Sequence, residues 1–578
     1  MPGGENIKHD GAGRHMSTEN GTPQTGGEAL LTALRTSGID YLFANAGTDF
    51  PPIIEGLARL PASEVPVPVT VPHETAGVGM AHGFWLVTGR PQAVMLHVNV
   101  GLANAVMGVI NAASDDVPIL VMSGRTPLTE TGRKGGRMTP IQYGQEMYDQ
   151  TGLVRGLVKF DYEIRYPEQC DSVTKRAASL MTGAPQGPVY LSLPKEPLSE
   201  PLPGGFVPAP VAASVSPAAP DAGAMARLGS WIGESVAPVV LCQRGEPSGR
   251  LGALLSEAAA RFGLAVAEPF SIRNVLASAD PALVGYDPKA AMAGADLVIV
   301  LDSGVPWIEA ASPPPEGARV VHIGHDPMFR RMPVRGYRAD MAIAADPVVA
   351  LEDILKQPVA GNSSERAAWV AAKREAFLAG RGAGGPTGAP MSAEWMSRCV
   401  SDIMDDRAVA FTELGLLLPE MDLKGPNRVF SNVHAGGLGW AMPAALGAQL
   451  ADRDRLVIAC MGDGSYMFAN PVACHQIAEA LDLPILTIVK NNAMWNAVRR
   501  SVIRGYPQGA AARMNEVPLT SLKPLPDFAT VARASRAHAE RVERAEDLPE
   551  ALARAIDVIR TERRQVLLDL DVAATDAF

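Results

Sequence analysis

The sequence predicts an α/β fold of three doubly wound domains, each built around a parallel sheet. From Gly27 onward, short apolar runs typical of buried strands alternate with longer helical patterns. Strands that are apolar throughout and separated by helices favour parallel sheets covered on both faces. Two stretches, residues 196–225 and 357–390, are rich in Pro, Gly, Ala and Ser and predict linkers between three blocks.

These signals divide the chain into a leader, three domains and two linkers. Residues 1–26 are polar and lack an apolar segment, which predicts a disordered leader and not a signal peptide. The predicted domains are residues 27–195, 226–356 and 391–578. Their predicted strands include residues 93–100, 118–122, 189–193, 238–242, 296–301, 320–323, 408–411, 456–461, 484–489 and 566–570.

Composition and charge limit the classes of function. Of the 578 residues, 47% are hydrophobic, which is enough for several cores. The formal net charge of -11 argues against a protein that binds nucleic acid or a membrane surface. No apolar run approaches the roughly 18 residues of a membrane span. Five cysteines without metal-ligand spacing are typical of a reducing compartment, so we expect a cytoplasmic protein that acts on a small molecule.

The strongest motif lies in the third block. Gly462-Asp463-Gly464-Ser465 follows the predicted strand 456–461, and Asn491-Asn492 follows the predicted strand 484–489. The residues between Gly464 and Asn491 suffice for a helix and a strand, so both strand ends can lie at one carboxyl edge of the sheet. Ligands of open α/β sheets bind at this edge.

The residue types at this edge suit a metal-bridged diphosphate. Asp463 supplies a carboxylate, Asn492 an amide oxygen and Met494 a backbone carbonyl, and Mg²⁺ prefers such hard oxygen ligands beside phosphate.

Glycines and a helix start complete the motif. Gly462 and Gly464 let the backbone approach closely, and Ser465 at the next helix start offers N–H groups to a phosphate. The alternative is an ordinary strand–turn–helix in which Gly and Asp serve only the turn.

The sequence resembles the thiamine-diphosphate enzyme family that includes acetolactate synthase, benzoylformate decarboxylase, pyruvate decarboxylase and benzaldehyde lyase. The family motif is Gly-Asp-Gly, a helix and a strand, and then Asn-Asn. The resemblance covers nearly the whole chain from Gly27 and implies pyrimidine-binding, central and diphosphate-binding domains that use thiamine diphosphate and Mg²⁺. Three further segments carry it: Pro72–Ala76, Ala184–Pro194 and Gly436–Ala445.

The resemblance assigns the catalytic carboxylate to Glu74. This side chain would hydrogen-bond N1′ of the cofactor pyrimidine and favour the imino tautomer, which takes the proton from the thiazolium C2. The resulting ylid is the nucleophile. From its local sequence alone, Glu74 is instead a solvated carboxylate at a helix start, which His73 helps to shape.

Other positions match residues that hold the cofactor. Gly436 would offer its carbonyl to the pyrimidine amino group, and Leu438 would wedge between the cofactor rings, or simply be a core leucine. Glu413 matches a glutamate near the diphosphate, although Leu414-Gly415-Leu416 replaces the hydroxyl residues that follow it in benzoylformate decarboxylase. In the family these groups and Glu74 come from different subunits, so the resemblance implies a homodimer or homotetramer with shared active sites.

Substrate-side positions are less determined. Thr48 stands in a loop that resembles the one carrying a substrate-facing serine in benzoylformate decarboxylase. His97 matches an active-site histidine of that enzyme and would relay a proton or bind a carboxylate. The alternative for His97 is a strand-end histidine satisfied by backbone. His434 is a second candidate, and Gln145 is a candidate substrate contact.

These residues favour a decarboxylase or an acetolactate-synthase-like carboligase, acting on a 2-oxo acid or a related 2-hydroxy carbonyl compound. One alternative is a catalytically silent paralogue that binds the cofactor. A nicotinamide-binding enzyme fits poorly, because no Gly-x-Gly-x-x-Gly opens a helix after a strand in the right context. The segment Leu241–Glu246 lacks the pattern by which acetolactate synthases hold FAD, so the sequence argues against FAD.

Overall fold

Three six-stranded sheets with intervening helices make up the fold. A computed structural model of the protein describes residues 22–211, 214–358, 363–382, 385–386, 388–432 and 434–574. The strand pairs within all three sheets are parallel. This confirms the predicted α/β fold of three doubly wound units. Residues 1–21 of the predicted leader lie outside the described residues.

The first sheet has the strand order β2-β1-β3-β4-β6-β5. Its inner strands are apolar and buried, as sheets covered on both faces require. The first helix begins with a capping box, in which Thr25 and Glu28 satisfy each other's backbone N–H groups. The strands are β1 Tyr41–Ala44, β2 Val67–Thr70, β3 Gln92–Leu96, β4 Ile119–Arg125, β5 Asp161–Glu163 and β6 Val189–Pro194. The helices are α1 Gly26–Thr36, α2 Pro51–Arg59, α3 Glu74–Thr88, α4 Val98–Ser114, α5 Ile141–Gly144, α6 Gln169–Thr182 and α7 Lys195–Ser199.

The central sheet has the order β12-β11-β10-β7-β8-β9. Its strands are β7 Pro238–Cys242, β8 Ala265–Ala267, β9 Leu283–Gly285, β10 Leu297–Leu301, β11 Arg319–Gly324 and β12 Met341–Ala344. Its helices are α8 Ala222–Glu234, α9 Arg250–Phe262, α10 Pro288–Met292, α11 Pro347–Ile354 and α12 Ser363–Gly380.

Helix α12 corrects the interpretation of residues 357–390 as a linker. Its sequence is rich in Ala, Glu, Lys and Arg, which are strong helix formers. Arg366 donates to the carbonyls of Ile232 at 2.9 Å and Ser235 at 3.1 Å. The helix therefore packs on the central sheet unit.

The third sheet has the order β14-β13-β15-β16-β18-β17, which repeats the connections of the first. The strands are β13 Val409–Glu413, β14 Val429–Ser431, β15 Val457–Gly462, β16 Leu486–Asn491, β17 His538–Val542 and β18 Val566–Asp571. The helices are α13 Ala393–Asp402, α14 Ala441–Ala451, α15 Asp463–Phe468, α16 Pro471–Ala480, α17 Asn496–Gly505, α18 Phe528–Arg533 and α19 Leu548–Asp557.

Two local details differ from the sequence prediction. The strand predicted over 93–100 ends at Leu96, because the chain turns at Val98, whose φ is +35°, into α4. The connection between β15 and β16 holds two helices instead of one, because Asn470 with φ of +52° separates α15 from α16.

The first and third sheet units pack together through α3 and α14. A side-chain carbon at Gly83 would lie 1.9 Å from the Ala444 carbonyl oxygen, and one at Gly447 would lie 1.9 Å from that of Met80. Only glycine allows the two helices to approach so closely. Within the described residues, no helix combines the length and apolarity that crossing a membrane requires.

Candidate functional site

Asp463 and Asn492 meet at the carboxyl edge of the third sheet. Strands β15 and β16 are parallel neighbours, so their ends lie side by side. One carboxylate oxygen of Asp463 accepts the N–H of Gly464 at 2.7 Å, and the other accepts the N–H of Asn492 at 3.1 Å. The side-chain oxygen of Asn492 in turn accepts the N–H of Met494 at 3.2 Å. The structure thus brings together the three predicted metal-ligating residues.

The turn after β16 fixes this arrangement. Ala493 has φ of +55°, and its N–H donates to the Asn491 side chain at 3.1 Å. The Asn491 amide nitrogen donates to Asp569 at 2.9 Å, and this hydrogen bond fixes the orientation of the Asn491 side chain. A side-chain carbon at Gly464 would lie 2.1 Å from the Trp495 ring, so only glycine fits between the motif and this turn.

The donor set at this edge fits Mg²⁺ beside phosphate. A side-chain carbon at Gly462 would meet no atom within 4 Å, so the space next to the motif is open. Burial raises the pKa of Asp463, and a nearby cation would favour its ionised form. One carboxylate, one amide oxygen and one carbonyl leave positions for phosphate oxygens in an octahedral shell. In the described part of the chain, no cluster of three or more His, Cys, Asp or Glu side chains offers another metal centre.

Glu413, at the end of β13, holds the start of α14. Its carboxylate accepts the N–H groups of Gly439 at 2.7 Å, Trp440 at 2.8 Å and Ala441 at 3.0 Å. A helix N-terminus favours such a negative charge. Burial raises the pKa of Glu413, while these N–H groups and the Ser465 hydroxyl oppose the rise. Its carboxylate therefore holds this segment, and its predicted contact with the cofactor stays a prediction.

Gly436 and Leu438 lie on the loop between β14 and α14. Gly436 is exposed and has φ of +63°, a conformation that favours glycine. The neighbouring Gly437 exchanges two hydrogen bonds, of 3.0 and 3.2 Å, with the side chain of Asn111 from the first unit. Leu438 is half-buried and so is not an ordinary core leucine. The loop is anchored at Gly437, between these two residues, and at Gly439, just after them.

Glu74 is the first residue of α3 and is buried, so the alternative of a solvated carboxylate is wrong. The Asn104 amide donates to its carboxylate at 3.2 Å, and His73 Nδ1 lies 3.9 Å away. His73 caps the helix by accepting the N–H of Thr75. A side-chain carbon at Gly101 would lie 3.3 Å from the Glu74 carboxylate, so α4 passes close to it.

His97, at the end of β3, pairs with a carboxylate. Its Nδ1 lies 2.5 Å from Asp49, and its Nε2 lies 3.4 Å from the amide nitrogen of Gln145. The alternative of a histidine satisfied by backbone is therefore wrong. The hydrogen bond to Asp49 raises the pKa of His97, partly opposed by burial, and the negative charge of Glu74 adds to the rise. Thr48 is exposed on the same loop as Asp49.

His434 belongs to a different cluster. Its Nδ1 lies 3.7 Å from Asp115, which also lies 3.9 Å from His82. All three side chains are buried.

A cavity of about 740 Å³ lies between the first and central units. Charged residues of both signs line it, among them Asp116, Arg244, Arg273 and Asp302. Its volume is that of a ligand pocket. The segment whose sequence argues against FAD contributes to its wall, so the absence of FAD stays a prediction.

Several proteins are similar to this chain. A benzoylformate decarboxylase from Pseudomonas aeruginosa is 27% identical, with 91% of this chain and 96% of that one covered. An acetolactate synthase large subunit from Parasynechococcus marenigrum is 25% identical, with 89% and 82% covered. The crystal structure of benzoylformate decarboxylase from Polynucleobacter necessarius has the same fold, with a TM-score of 0.79 at 20% identity and coverage of 96% and 99%.

The family assignment comes from the two ends of the chain. Residues 24–153 match the description "Thiamine pyrophosphate enzyme, N-terminal TPP binding domain". Residues 417–570 match "Thiamine pyrophosphate enzyme, C-terminal TPP binding domain". The chain belongs to the thiamine-pyrophosphate-dependent enzyme family, and its relatives include decarboxylases and acetolactate synthases. The resemblance seen in the sequence is confirmed.

Four residues of the site escaped the sequence analysis: Asp49, Asn104, Asn111 and Trp495. Each contacts a residue that is distant in the sequence, so no local sequence pattern marks it. Asp49 had the only available signal, since it directly follows Thr48.

Proposed function

We propose that the chain is a Mg²⁺- and thiamine-diphosphate-dependent lyase or carboligase for a 2-oxo acid or a related 2-hydroxy carbonyl compound. The observation that carries the proposal is the meeting of Asp463 and Asn492 at one sheet edge. It is supported by a buried glutamate, Glu74, at a helix start of the first unit. The two features supply metal–diphosphate binding and proton transfer.

The third unit holds the metal and the diphosphate. The Asp463 carboxylate, the Asn492 amide oxygen and the Met494 carbonyl are the Mg²⁺ ligands. Gly462 and Gly464 keep side chains away from the phosphate, and Ser465 contributes its backbone N–H at the start of α15.

Proton transfer falls to Glu74. When bound, thiamine diphosphate supplies a carbon nucleophile and accepts the electron pair released beside the carbonyl. Glu74 holds a proton against the pyrimidine nitrogen. Asn104 fixes the orientation of its carboxylate by donating to one oxygen. Gly436 and Leu438 contact the pyrimidine side, on a loop whose geometry Glu413 maintains.

Two copies of the chain complete each site. In the first unit, apolar side chains near Gln145 are exposed, and in the third unit so are others near the Asp463 motif. Exposed apolar clusters of this kind mark interaction surfaces. A homodimer, or a homotetramer of two dimers, covers both. The residues are Met138, Ile141, Tyr143, Tyr148, Leu414, Phe468 and Leu519.

The substrate lies next to His97 and Thr48. A histidine that is readily protonated suits a substrate with a carboxylate, and one relative, a benzoylformate decarboxylase, is named for a 2-oxo acid. Gln145 is a further contact. His434 is assigned no substrate role, because it pairs with Asp115.

A substrate screen tests the proposal. Purified protein with thiamine diphosphate and Mg²⁺ is incubated with 2-oxo acids and 2-hydroxyacyl compounds, and CO₂, aldehydes and acyloins are measured. Protein treated with a chelator and then reloaded with Mg²⁺ is the control. Failure to bind the cofactor overturns the proposal, and an absorbance spectrum with stoichiometric flavin overturns the prediction that the protein holds no FAD.

Hydrogen–deuterium exchange at C2 of the bound cofactor separates an enzyme from the silent paralogue. Fast exchange is expected. Cofactor binding with slow exchange and no product with any tested compound would establish the silent paralogue instead.

A further inference from the structure

Asp49 and His97 form a partly buried pair at the carboxyl edge of the first sheet. Asp49 lies on the loop after β1, and His97 follows β3. The Asp49 carboxylate lies 2.5 Å from His97 Nδ1. The Asp49 side chain is 5% exposed and the His97 side chain 17% exposed. A charge-assisted hydrogen bond this short in a partly dry site restrains both the ring and its proton.

The backbone packs so closely around the pair that two neighbouring positions cannot carry a side chain. A side-chain carbon at Gly47 would lie 2.0 Å from His97 Nδ1, and one at Gly124 would lie 1.6 Å from the Asp49 carboxylate. A glycine on the loop after β1 and a glycine in β4 therefore make the space that the ring and the carboxylate occupy.

Asp49 also holds the turn that carries His97. Its second carboxylate oxygen accepts the N–H of Val98 at 3.2 Å. Val98 has φ of +35°, which is unfavourable for a β-branched residue. Strain of this kind persists where neighbours hold it, and it concentrates at functional sites.

We propose that Asp49 is a positioning residue that keeps the proton of neutral His97 on Nδ1 and presents Nε2 to the substrate. The contact on the other side of the ring agrees, because the Gln145 amide lies 3.4 Å from Nε2 and can donate to its lone pair. When His97 takes up a proton, Nε2–H is the group that faces Gln145. It donates to a substrate oxygen and returns to the lone-pair form if it gives up the proton.

Two charged groups act on the ring from different elements. Asp49, from the loop after β1, and Glu74, from the start of α3, both favour the imidazolium form of His97, while burial opposes it. That the substrate oxygen which accepts this hydrogen bond belongs to a 2-oxo acid rests on the proposed function. The tautomer does not, so it can be tested without substrate or cofactor.

The test is ¹⁵N NMR of the full-length protein with selectively labelled histidine. The His97→Gln variant identifies the signal of His97. In the wild type above its pKa, Nδ1 should carry the proton and Nε2 should not. A neutral His97 protonated on Nε2 overturns the proposal, and this result needs no variant of Asp49.

Asp49→Asn separates positioning from a purely structural role. The amide oxygen can still accept the N–H of Val98, so the turn is kept, but an N–H group now faces Nδ1. The tautomer should switch to Nε2–H, and the pKa of His97 should fall by about one unit or more. An unchanged tautomer and pKa in the folded variant contradict the proposal. Gln145→Leu is the matched control on the other nitrogen and should leave the proton on Nδ1.

Exchange at C2 of the bound cofactor keeps this proposal distinct from the proposed function. In Asp49→Asn it should stay within about threefold of wild type, because Glu74 is intact. Absence of exchange in the wild type as well would remove the proposed function and leave the NMR result standing.

Discussion

The first and third sheets have one strand order and two chemistries. In each, the chain enters at the second strand from one edge and makes the same crossings, β2-β1-β3-β4-β6-β5 and β14-β13-β15-β16-β18-β17. The loop after β2 leads to Glu74, and the corresponding loop after β14 carries Gly436 and Leu438. The end of β3 carries His97, and the end of β15 carries Asp463. Topology thus determines where functional groups appear, and the loop residues determine what they do.

The difference lies in charge and hydrogen bonding. The first unit presents a buried carboxyl group and a histidine, two types of group that suit proton transfer. The third presents hard oxygen atoms and glycines, which suit a cation and phosphate. If this division of labour is right, substitutions in the two units should fail in different ways.

The largest effect is expected for Glu74→Gln in the first unit. Glutamine keeps the size and a hydrogen bond but cannot exchange a proton, so C2 exchange of the bound cofactor should slow by about 10²–10⁴. Cofactor affinity should change little, because the metal and diphosphate contacts lie on the third unit. The neighbouring His73→Asn variant, which keeps a helix cap, is the control and should exchange like wild type. Equal, fast exchange in Glu74→Gln would remove the catalytic role of Glu74.

Asp463→Ala in the third unit should fail by loss of binding. Without the carboxylate, Mg²⁺-dependent affinity for thiamine diphosphate should fall by about 100-fold or more, while the fold is kept because the residue lies at a sheet edge. Titration calorimetry with and without Mg²⁺ measures the affinity for thiamine diphosphate, and scanning calorimetry shows whether the variant is folded. Wild-type affinity in this variant means that Asp463 does not bind the metal.

An intermediate effect is expected for Glu413→Gln. The amide keeps one acceptor for the three N–H groups at the start of α14 but loses the charge that the helix N-terminus favours. Cofactor affinity should weaken by roughly 10-fold, since charge-assisted hydrogen bonds contribute about 1.5–3 kcal/mol. A loss as large as that of Asp463→Ala would instead point to direct contact with the cofactor.

The smallest effect concerns pH and the contact between the two units. His82 on α3 lies against Trp440, and burial lowers the pKa of His82 to about 4. The unfolded chain takes up a proton there below about pH 6.5. In the folded protein His82 takes up this proton only near pH 4. The free energy of unfolding should therefore fall as the pH drops from about 6.5 to about 4. His82→Phe should reduce the fall in melting temperature between pH 7 and pH 5, and an unchanged fall would assign it to other groups.

Much of the fold could be predicted because its signals are local. Apolar strands alternate with helices, and the third-unit strands end at the Gly-Asp-Gly and Asn-Asn motifs as expected. Helix α12 was missed because the Gly, Ala and Pro residues around it dominated the local composition. The end of β3 was misplaced because Val98 is a typical strand residue that here takes a positive φ.

Site residues could be predicted where they belong to a sequence motif. They could not be predicted where they are brought together only by folding. Asp463 and Asn492 are marked by their spacing, whereas Asp49 pairs with His97 across 48 positions. Glu413 shows a second limit. Its position in the sequence predicts contact with the cofactor, but only the coordinates show that its carboxylate accepts three backbone N–H groups.

The central claim is that proton transfer by the first unit of one chain serves the metal edge of the third unit of another. It is tested by co-expressing Glu74→Gln and Asp463→Ala chains with different tags and isolating the mixed dimer. One of its two sites then has Glu74 and Asp463 both intact, so C2 exchange should return to about half of the wild-type amplitude, although each homodimer is defective. No recovery in a mixed dimer that forms and folds would contradict the claim, because it would place both residues of each site in a single chain.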